Sequence, residues 1–224
     1  MNNHIKTPVY PNRGSVSQQL IRAGRYEGEE EPDEKETEAA TQAFDPLSSK
    51  MMKTRSILLS GEVNKSLAER VVRSLLVLEA ESDDPIKVFI DSPGGDVDAG
   101  YAIFDMIRFV NAPVWMIGMG LVASAGALIL LAAPKERRVG LPNSHYLIHQ
   151  PLSGMRGVAT DIEIHAKEID KTRDRINHLI AHETGKPLAQ VAKDTDRDYW
   201  LSAEEAKEYN LISRIITKRG DLKV

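Results

Sequence analysis

Between Pro113 and Pro134 lie twenty consecutive uncharged residues, Val114 to Ala133, and any fold open to this chain must keep that run out of water. The length suffices for a transmembrane helix. Three glycines (Gly118, Gly120, Gly126) and a scatter of alanines weaken its hydropathy, however, and no aromatic belt marks its ends. The basic cluster Lys135, Arg137 and Arg138 leads straight into strand-like sequence. The run also divides by residue type, into "VWMIGMG", which suits a buried strand, and "ASAGALILLAA", which suits a helix. The reading is therefore strand then helix, with one hydroxyl, Ser124, at the joint. A buried hydroxyl without a partner costs about 1–3 kcal/mol, so Ser124 is either bonded inside a helix or placed to react.

The same strand-to-helix pattern recurs upstream. "SILLSG" (56–61) reads as a strand, and Asn64 can cap a helix reaching Glu81 with Leu67, Val71, Leu75 and Leu78 on one stripe. "IKVFIDS" (86–92) is a second strand; the turn "PGGD" follows it, and then an amphipathic helix from about Asp96 to Val110. Downstream, "RRVGL" and "HYLIHQ" read as short strands, so the order is β-α-β-α-β-α-β-β. Strands alternating with helices predict parallel pairing and an α/β layer fold. A long helix should follow, opened by the capping box Thr160–Glu163 and closed near Gly185, and it should project from the body. Pro187 can start a short helix, "YWL" a brief strand, "SAEE" a capped helix and "LISRII" a final strand.

Length and composition bound the rest. At 224 residues, 42% hydrophobic and 28% charged, with a formal charge of −4, the chain suits one globular domain plus a tail, and neither nucleic acid nor membrane is the expected partner. The boundary is expected at 50/51, with residues 1–50 a polar, disordered tail or pro-segment. Residues 1–26 carry Lys6, Arg13, Arg22 and Arg25 without an acid, whereas "EGEEEPDEKETE" (27–38) is strongly acidic. A bacterial pro-segment, hence a cytoplasmic protein, is the plainer reading of that tail; a transit peptide in residues 1–26 would instead send the chain to an organelle matrix. Without cysteine the chain can form no disulfide, thiol nucleophile or Cys-type zinc site.

In α/β layer folds, reactive groups collect where parallel strands end and helices begin, and Ser124 lies at such a junction. The backbone N–H groups of Ser124 and Ala125 have no partner within the helix they open, so an oxyanion beside Ser124 would be stabilised there. "GLVASAG" nonetheless lacks the G-x-S-x-G signature of a nucleophile elbow. A serine needs a base, and His149 stands out because it ends an apolar strand and precedes "QP"; His145, on the same face, is a lesser candidate. His4 lies in the tail. His165, His178 and His182 fall on the long helix as ordinary solvated or half-buried side chains, and the His178/His182 pair would need further ligands to hold zinc, so no metal site is expected. Spacing leaves the orienting acid open among Asp91, Asp96, Asp194, Asp196 and Asp198.

These residues in this order resemble the proteolytic-subunit family of the Clp protease (ClpP), over roughly residues 55–217. "GLVASAGA", "LPNSHYLIHQP" and "DTDRDYWLSAEEAKEYNLI" are similar to the family's serine, histidine and acid motifs. The resemblance implies the α/β ClpP/crotonase-like spiral of repeated β-α units with a protruding handle helix, the helix from Thr160 being the handle. It implies Ser124 as nucleophile, His149 as general base and acid, and Asp198 as the orienting carboxylate. It implies an oxyanion hole from the N–H groups of Gly95 and Ala125, with Val97 and the segment around Leu152 and Gly154 holding an extended peptide by main-chain hydrogen bonds. The implied activity is serine endopeptidase cleavage of unfolded proteins, without a cofactor, ATP being used only by an AAA+ unfoldase partner such as ClpX, ClpA or ClpC. The implied assembly is two stacked seven-membered rings, of this chain alone or mixed with a paralogue, joined in part by Asp196 and Arg197.

The chain departs from the family pattern where Leu121 and Val122 replace polar residues, where Asp91 replaces asparagine, and where Asp96 and Asp98 add acids beside the glycine turn. Those carboxylates should disfavour acidic peptides. Two other classes share parts of the pattern: a structural ring subunit assembling with an active paralogue, and a crotonase-like acyl-CoA enzyme, which uses "SPGGD" but leaves the histidine and acid motifs idle.

Overall fold

The computed structural model describes residues 46–223, within a compact unit spanning Asp45–Val224. The basic and acidic stretches of residues 1–38, and His4, lie outside the described residues. The first described element, helix α1 (Pro46–Lys53), runs across the boundary expected at 50/51.

The β-α repeat is formed as the pattern requires. Strand β1 (Ser56–Ser60) leads to α2 (Lys65–Glu81), capped by Asn64, whose side chain accepts from the Leu67 N–H at 2.9 Å. Strand β2 (Ile86–Ser92) leads through the glycine turn to α3 (Val97–Phe109), capped by Asp96, which accepts from the Ala99 N–H at 2.6 Å. Strand β3 (Val114–Ala123) leads to α4 (Ala125–Leu130), so the apolar run is strand and helix, and no helix among the described residues is long and apolar enough to cross a membrane. Short strands β4 (Arg138–Gly140) and β5 (His145–Ile148) follow, then α5 (Ala159–Thr184), α6 (Leu188–Asp194), β6 (Tyr199–Ser202), α7 (Ala203–Glu208) and β7 (Arg214–Ile215).

The sheet runs β1-β2-β3-β4-β7 with every neighbouring pair parallel, while β5 pairs parallel with β3 and antiparallel with β6. Strand β3 serves two partners in succession. Met116–Gly118 face β4 and Leu121–Ala123 face β5, because a register shift against β2 inserts extra residues between them. Asp91 and Gly120 make the shift tolerable. The Asp91 carboxylate accepts the Leu121 N–H at 3.0 Å, and Gly120, at φ +54°, lies against that carboxylate where a Cβ would sit 2.6 Å from its Oδ1. Alternating burial along β2 places Ile86, Val88 and Ile90 in the main core with α2, α3 and α4. The opposite face carries only a small cluster built on Ile117, Val139 and Ile216.

Helix α5 differs from expectation at its start. Val158 is the N-cap and makes no side-chain cap bond, so the Thr160–Glu163 capping box does not form; the helix has already begun at Ala159, placing Thr160 inside its first turn. Its end is as expected, with Gly185 left-handed at φ +70°. From Ala159 to Arg175 no residue is buried, and only the last turns, through Ile176, Asn177, Ile180 and Thr184, join the body. The helix cap expected at "SAEE" does form, as a capping box between Ser202 and Glu205.

Candidate active site

Three adjacent strand ends build the site. Strand β3 stops at Ala123, so Ser124 is the next residue; β5 stops at Ile148, so His149 is the next; β6 begins at Tyr199, so Asp198 immediately precedes it. The ladders align them. Ala123 pairs with Leu147 in the parallel ladder, and Ile148 faces Tyr199 in the antiparallel one, so the next step of that register sets His149 opposite Asp198. The two side chains meet there, Nδ1 of His149 lying 3.1 Å from Oδ1 of Asp198. The imidazole is largely enclosed, at 23% side-chain exposure, whereas the carboxylate stands in solvent at 63%. Of the five acids that spacing leaves open, Asp198 is the one that meets the imidazole: Asp194 is held by the Tyr209 hydroxyl at 2.9 Å, and Asp91 and Asp96 serve the sheet and a helix cap.

Ser124 occupies a strained bend. Its φ of +54° and ψ of −121° lie outside the usual regions for a residue with a side chain, a cost of about 1–3 kcal/mol. The bend is of the kind a nucleophile elbow makes, although the sequence lacks that signature. Room for it comes from Gly94, where a Cβ would sit 2.6 Å from the Ser124 Cβ and 2.7 Å from the Ala123 carbonyl oxygen. Ser124 and His149 line one small cavity of ≈ 20 Å³, walled by Val97, Leu128, Ile176 and Ile180. The isoleucines of α5 therefore touch the site; in the sequence they are visible only as a helical stripe. His145 is exposed, away from this cavity.

Amide donors are set around the serine. The Ser124 N–H, one of the two expected to be free, donates instead to the Leu147 carbonyl at 2.9 Å and continues the β3–β5 ladder. That leaves the Ala125 N–H at the start of α4, since the first bonds accepted by the Ser124 carbonyl come from Ala127 and Leu128. Gly95 bridges Val63: the Val63 N–H donates to the Gly94 carbonyl at 2.8 Å and the Asp96 N–H to the Val63 carbonyl at 2.7 Å, so the Gly95 N–H takes no part in the bridge. A Cβ on Gly95, at φ +146°, would collide with the Val63 carbonyl oxygen. Ser92 holds this turn by donating to the Gly61 carbonyl at 2.6 Å and accepting the Gly94 N–H at 3.1 Å.

The segment carrying Asp198 is pinned by Gln150 and Thr195, which lie within the histidine and acid motifs, and by Asn177, which no motif marks. The Gln150 N–H donates to the Thr195 carbonyl at 2.6 Å and its side-chain amide to the Asp196 carbonyl at 2.6 Å, while the Thr195 hydroxyl donates to Asn177 at 2.7 Å. The only signal of Asn177 in the sequence is a polar residue at an intended core position, Asn177 and Thr195 both being buried. Val97 is half-buried, and Leu152 and Gly154 lie exposed on an irregular stretch, Leu152 being 92% exposed. Asp196 and Arg197 are exposed side by side. A larger cavity of ≈ 370 Å³ lies elsewhere, against Arg108, Arg137, His182 and Glu183, and touches none of the expected site residues.

The fold has counterparts among known proteins. The sequence model of the family described as Clp protease matches residues 38–219. A curated relative from Treponema pallidum (strain Nichols), ATP-dependent Clp protease proteolytic subunit 2, is 68% identical over 174 residues, covering 77% of this chain and 87% of the relative. The ATP-dependent Clp protease proteolytic subunit 3 of Rhizobium etli is 55% identical over 172 residues, covering 77% and 89%. Among solved structures, a point mutant of ClpP1 from Listeria monocytogenes superposes with a TM-score of 0.74 at 51% identity, over 79% of this chain and 99% of that one. The comparisons favour the peptidase over the acyl-CoA enzyme and the scaffold subunit. A family match over most of the sequence, together with a shared α/β fold, places this chain in the Clp protease family of serine peptidases.

Proposed function

We propose that the chain is a self-compartmentalised serine endopeptidase subunit in which Ser124 attacks the scissile carbonyl. The observation that carries the reading is the β5–β6 register, which puts His149 against Asp198 beside the serine at the end of β3. With Nδ1 facing Asp198, Nε2 of His149 is left for the serine hydroxyl. It takes the Oγ proton as the Oγ–C bond forms, then gives that proton to the leaving amine as the C–N bond breaks. Water repeats the cycle on the acyl-enzyme, and Asp198 orients the ring and stabilises the imidazolium. The Gly95 and Ala125 N–H groups receive the developing oxyanion, each donor worth about a hundredfold to a thousandfold in rate. Val97 on one side, with Leu152 and Gly154 on the other, edges the cleft for an extended peptide.

The assembly reading is two stacked seven-membered rings, in which Asp196 and Arg197 pair across the interface next to Asp198, with an AAA+ unfoldase threading unfolded proteins inward in the cytoplasm. The names of the relatives, each a subunit of an ATP-dependent protease, support the part of this reading that joins the chain to an ATPase. No cofactor is needed for hydrolysis in this scheme. A fluorophosphonate probe read by intact-mass spectrometry tests the chemistry: a single adduct on Ser124, absent from His149→Ala, is expected. Assembled rings that never react would overturn the assignment in favour of a scaffold.

A further inference from the structure

A second hollow of ≈ 270 Å³ adjoins the serine cavity and shares Val97 and Pro151 with it. One wall is the first turn of α3, bringing Asp96 and Asp98; the other is α5, bringing His165, Glu168 and Thr172. The irregular stretch after His149 closes it, fastened to α5 where the Ser153 hydroxyl meets Nε2 of His165 at 2.9 Å. A peptide lying along Val97 with its carbonyl at Ser124 would pass this hollow, which shares Val97 and Pro151 with the serine cavity.

The charges there are unbalanced. Glu168 is paired with Lys171 at 2.6 Å, so its charge is met on its own helix. Asp96 uses its carboxylate as the α3 cap, and Asp98 is exposed on the same turn. Among the described residues neither aspartate forms an ion pair, and no arginine or lysine lines the hollow. The apolar walls of the adjoining cavity, Leu128, Ile176 and Ile180, cannot discriminate charge. The carboxylates of α3 can.

We infer that Asp98, with Asp96, determines specificity: the hollow between α3 and α5 is a substrate side-chain subsite that selects lysine or arginine over glutamate. The inference rests on the proposed peptidase reading. It requires carboxylates within Coulomb range of the substrate cation, where unlike charges attract and like charges are excluded.

The test uses the full-length protein and tripeptidyl diphenyl phosphonates that place lysine or glutamate at each of the three residues before the phosphorus, with an all-alanine reagent as reference. The second-order rate of Ser124 modification is read by intact mass. At one position lysine should exceed glutamate by about tenfold at 0.05 M salt, and the ratio should shrink in 1 M salt as screening shortens to about 3 Å. Asp98→Lys should invert the ratio, an outcome no merely structural role for Asp98 produces, and Asp96→Asn, which keeps the cap, should reduce it. Equal rates for lysine and glutamate, or a preference that Asp98→Lys leaves standing, would overturn the inference while Ser124 labelling by the alanine reagent left the peptidase reading intact. No labelling by any reagent would overturn both.

Discussion

At the scale of single residues, Ser124 carries two burdens, a reactive hydroxyl and a left-handed backbone, and both depend on Gly94 making room beneath it. Replacing the hydroxyl removes the chemistry without altering the bend, so Ser124→Ala should lower peptidase kcat by about 10⁴-fold or more. In the proposed mechanism Asp198 acts only through His149, and it stands in solvent, where water can partly substitute for it. Asp198→Ala should therefore retain about tenfold to a hundredfold more activity than Ser124→Ala, as single-turnover rates on one fluorogenic peptide would reveal. Residue chemistry was legible in the sequence for Ser124 and His149, since each sits where an apolar strand ends. The acid was not, because five aspartates satisfy the same composition and only the β5–β6 register separates them. Nor was the fate of the Ser124 N–H, whose partner, the Leu147 carbonyl, is supplied by another strand.

At the scale of elements, the break in the β2–β3 register is what lets one strand feed two neighbours and end at the nucleophile. Its keystone is a side chain, the Asp91 carboxylate standing in for a main-chain carbonyl at Leu121. Asp91→Ala would leave a half-buried N–H unpaired and should cost about 1–2 kcal/mol, whereas Asp91→Asn keeps an acceptor oxygen and should cost less than half of that. Urea midpoints of the two variants check this, and equal losses would assign the effect to charge instead. The periodicities of β1, α2, β2 and α3 predicted those elements to within a residue or two, because each buries a single face. The start of α5 lies one residue before the Thr160 cap that the sequence suggests, since its first turns bury no residue and core packing does not fix where the helix begins.

Across the whole molecule, the long helix is fastened to the sheet by charge as well as by packing. Arg138, fully buried on β4, donates to the Glu183 carbonyl at 2.9 Å and to the Asn210 carbonyl at 3.2 Å, while the Glu183 carboxylate binds Arg108 at 2.6 Å. Burial lowers the Arg138 pKa to about 10, so it remains charged at neutral pH and needs the carboxylate beside it. For Glu183, burial works against ionisation, but hydrogen bonds from Arg108 and His182 and the two arginine charges outweigh it and hold the carboxyl below its ordinary 4.5. A depressed carboxyl stabilises the fold fully above its unfolded value and loses that contribution as pH falls through the folded one. Glu183→Gln should therefore destabilise the fold at neutral pH, with the gap to the parent narrowing as pH falls below 4.5. Urea unfolding across that range, followed by circular dichroism, measures it; a gap independent of pH would assign the loss to packing.

His149 and Asp198 are 49 positions apart, yet they stand at facing ends of two hydrogen-bonded strands, and everything between them leaves the ladder and returns to it. Only the stretch of the excursion without a buried residue, Ala159–Arg175, is thus free to change its surface without moving imidazole from carboxylate, since that distance is gauged by the rungs, whereas Ile176, Asn177 and Thr195 belong to the walls and ties of the same site.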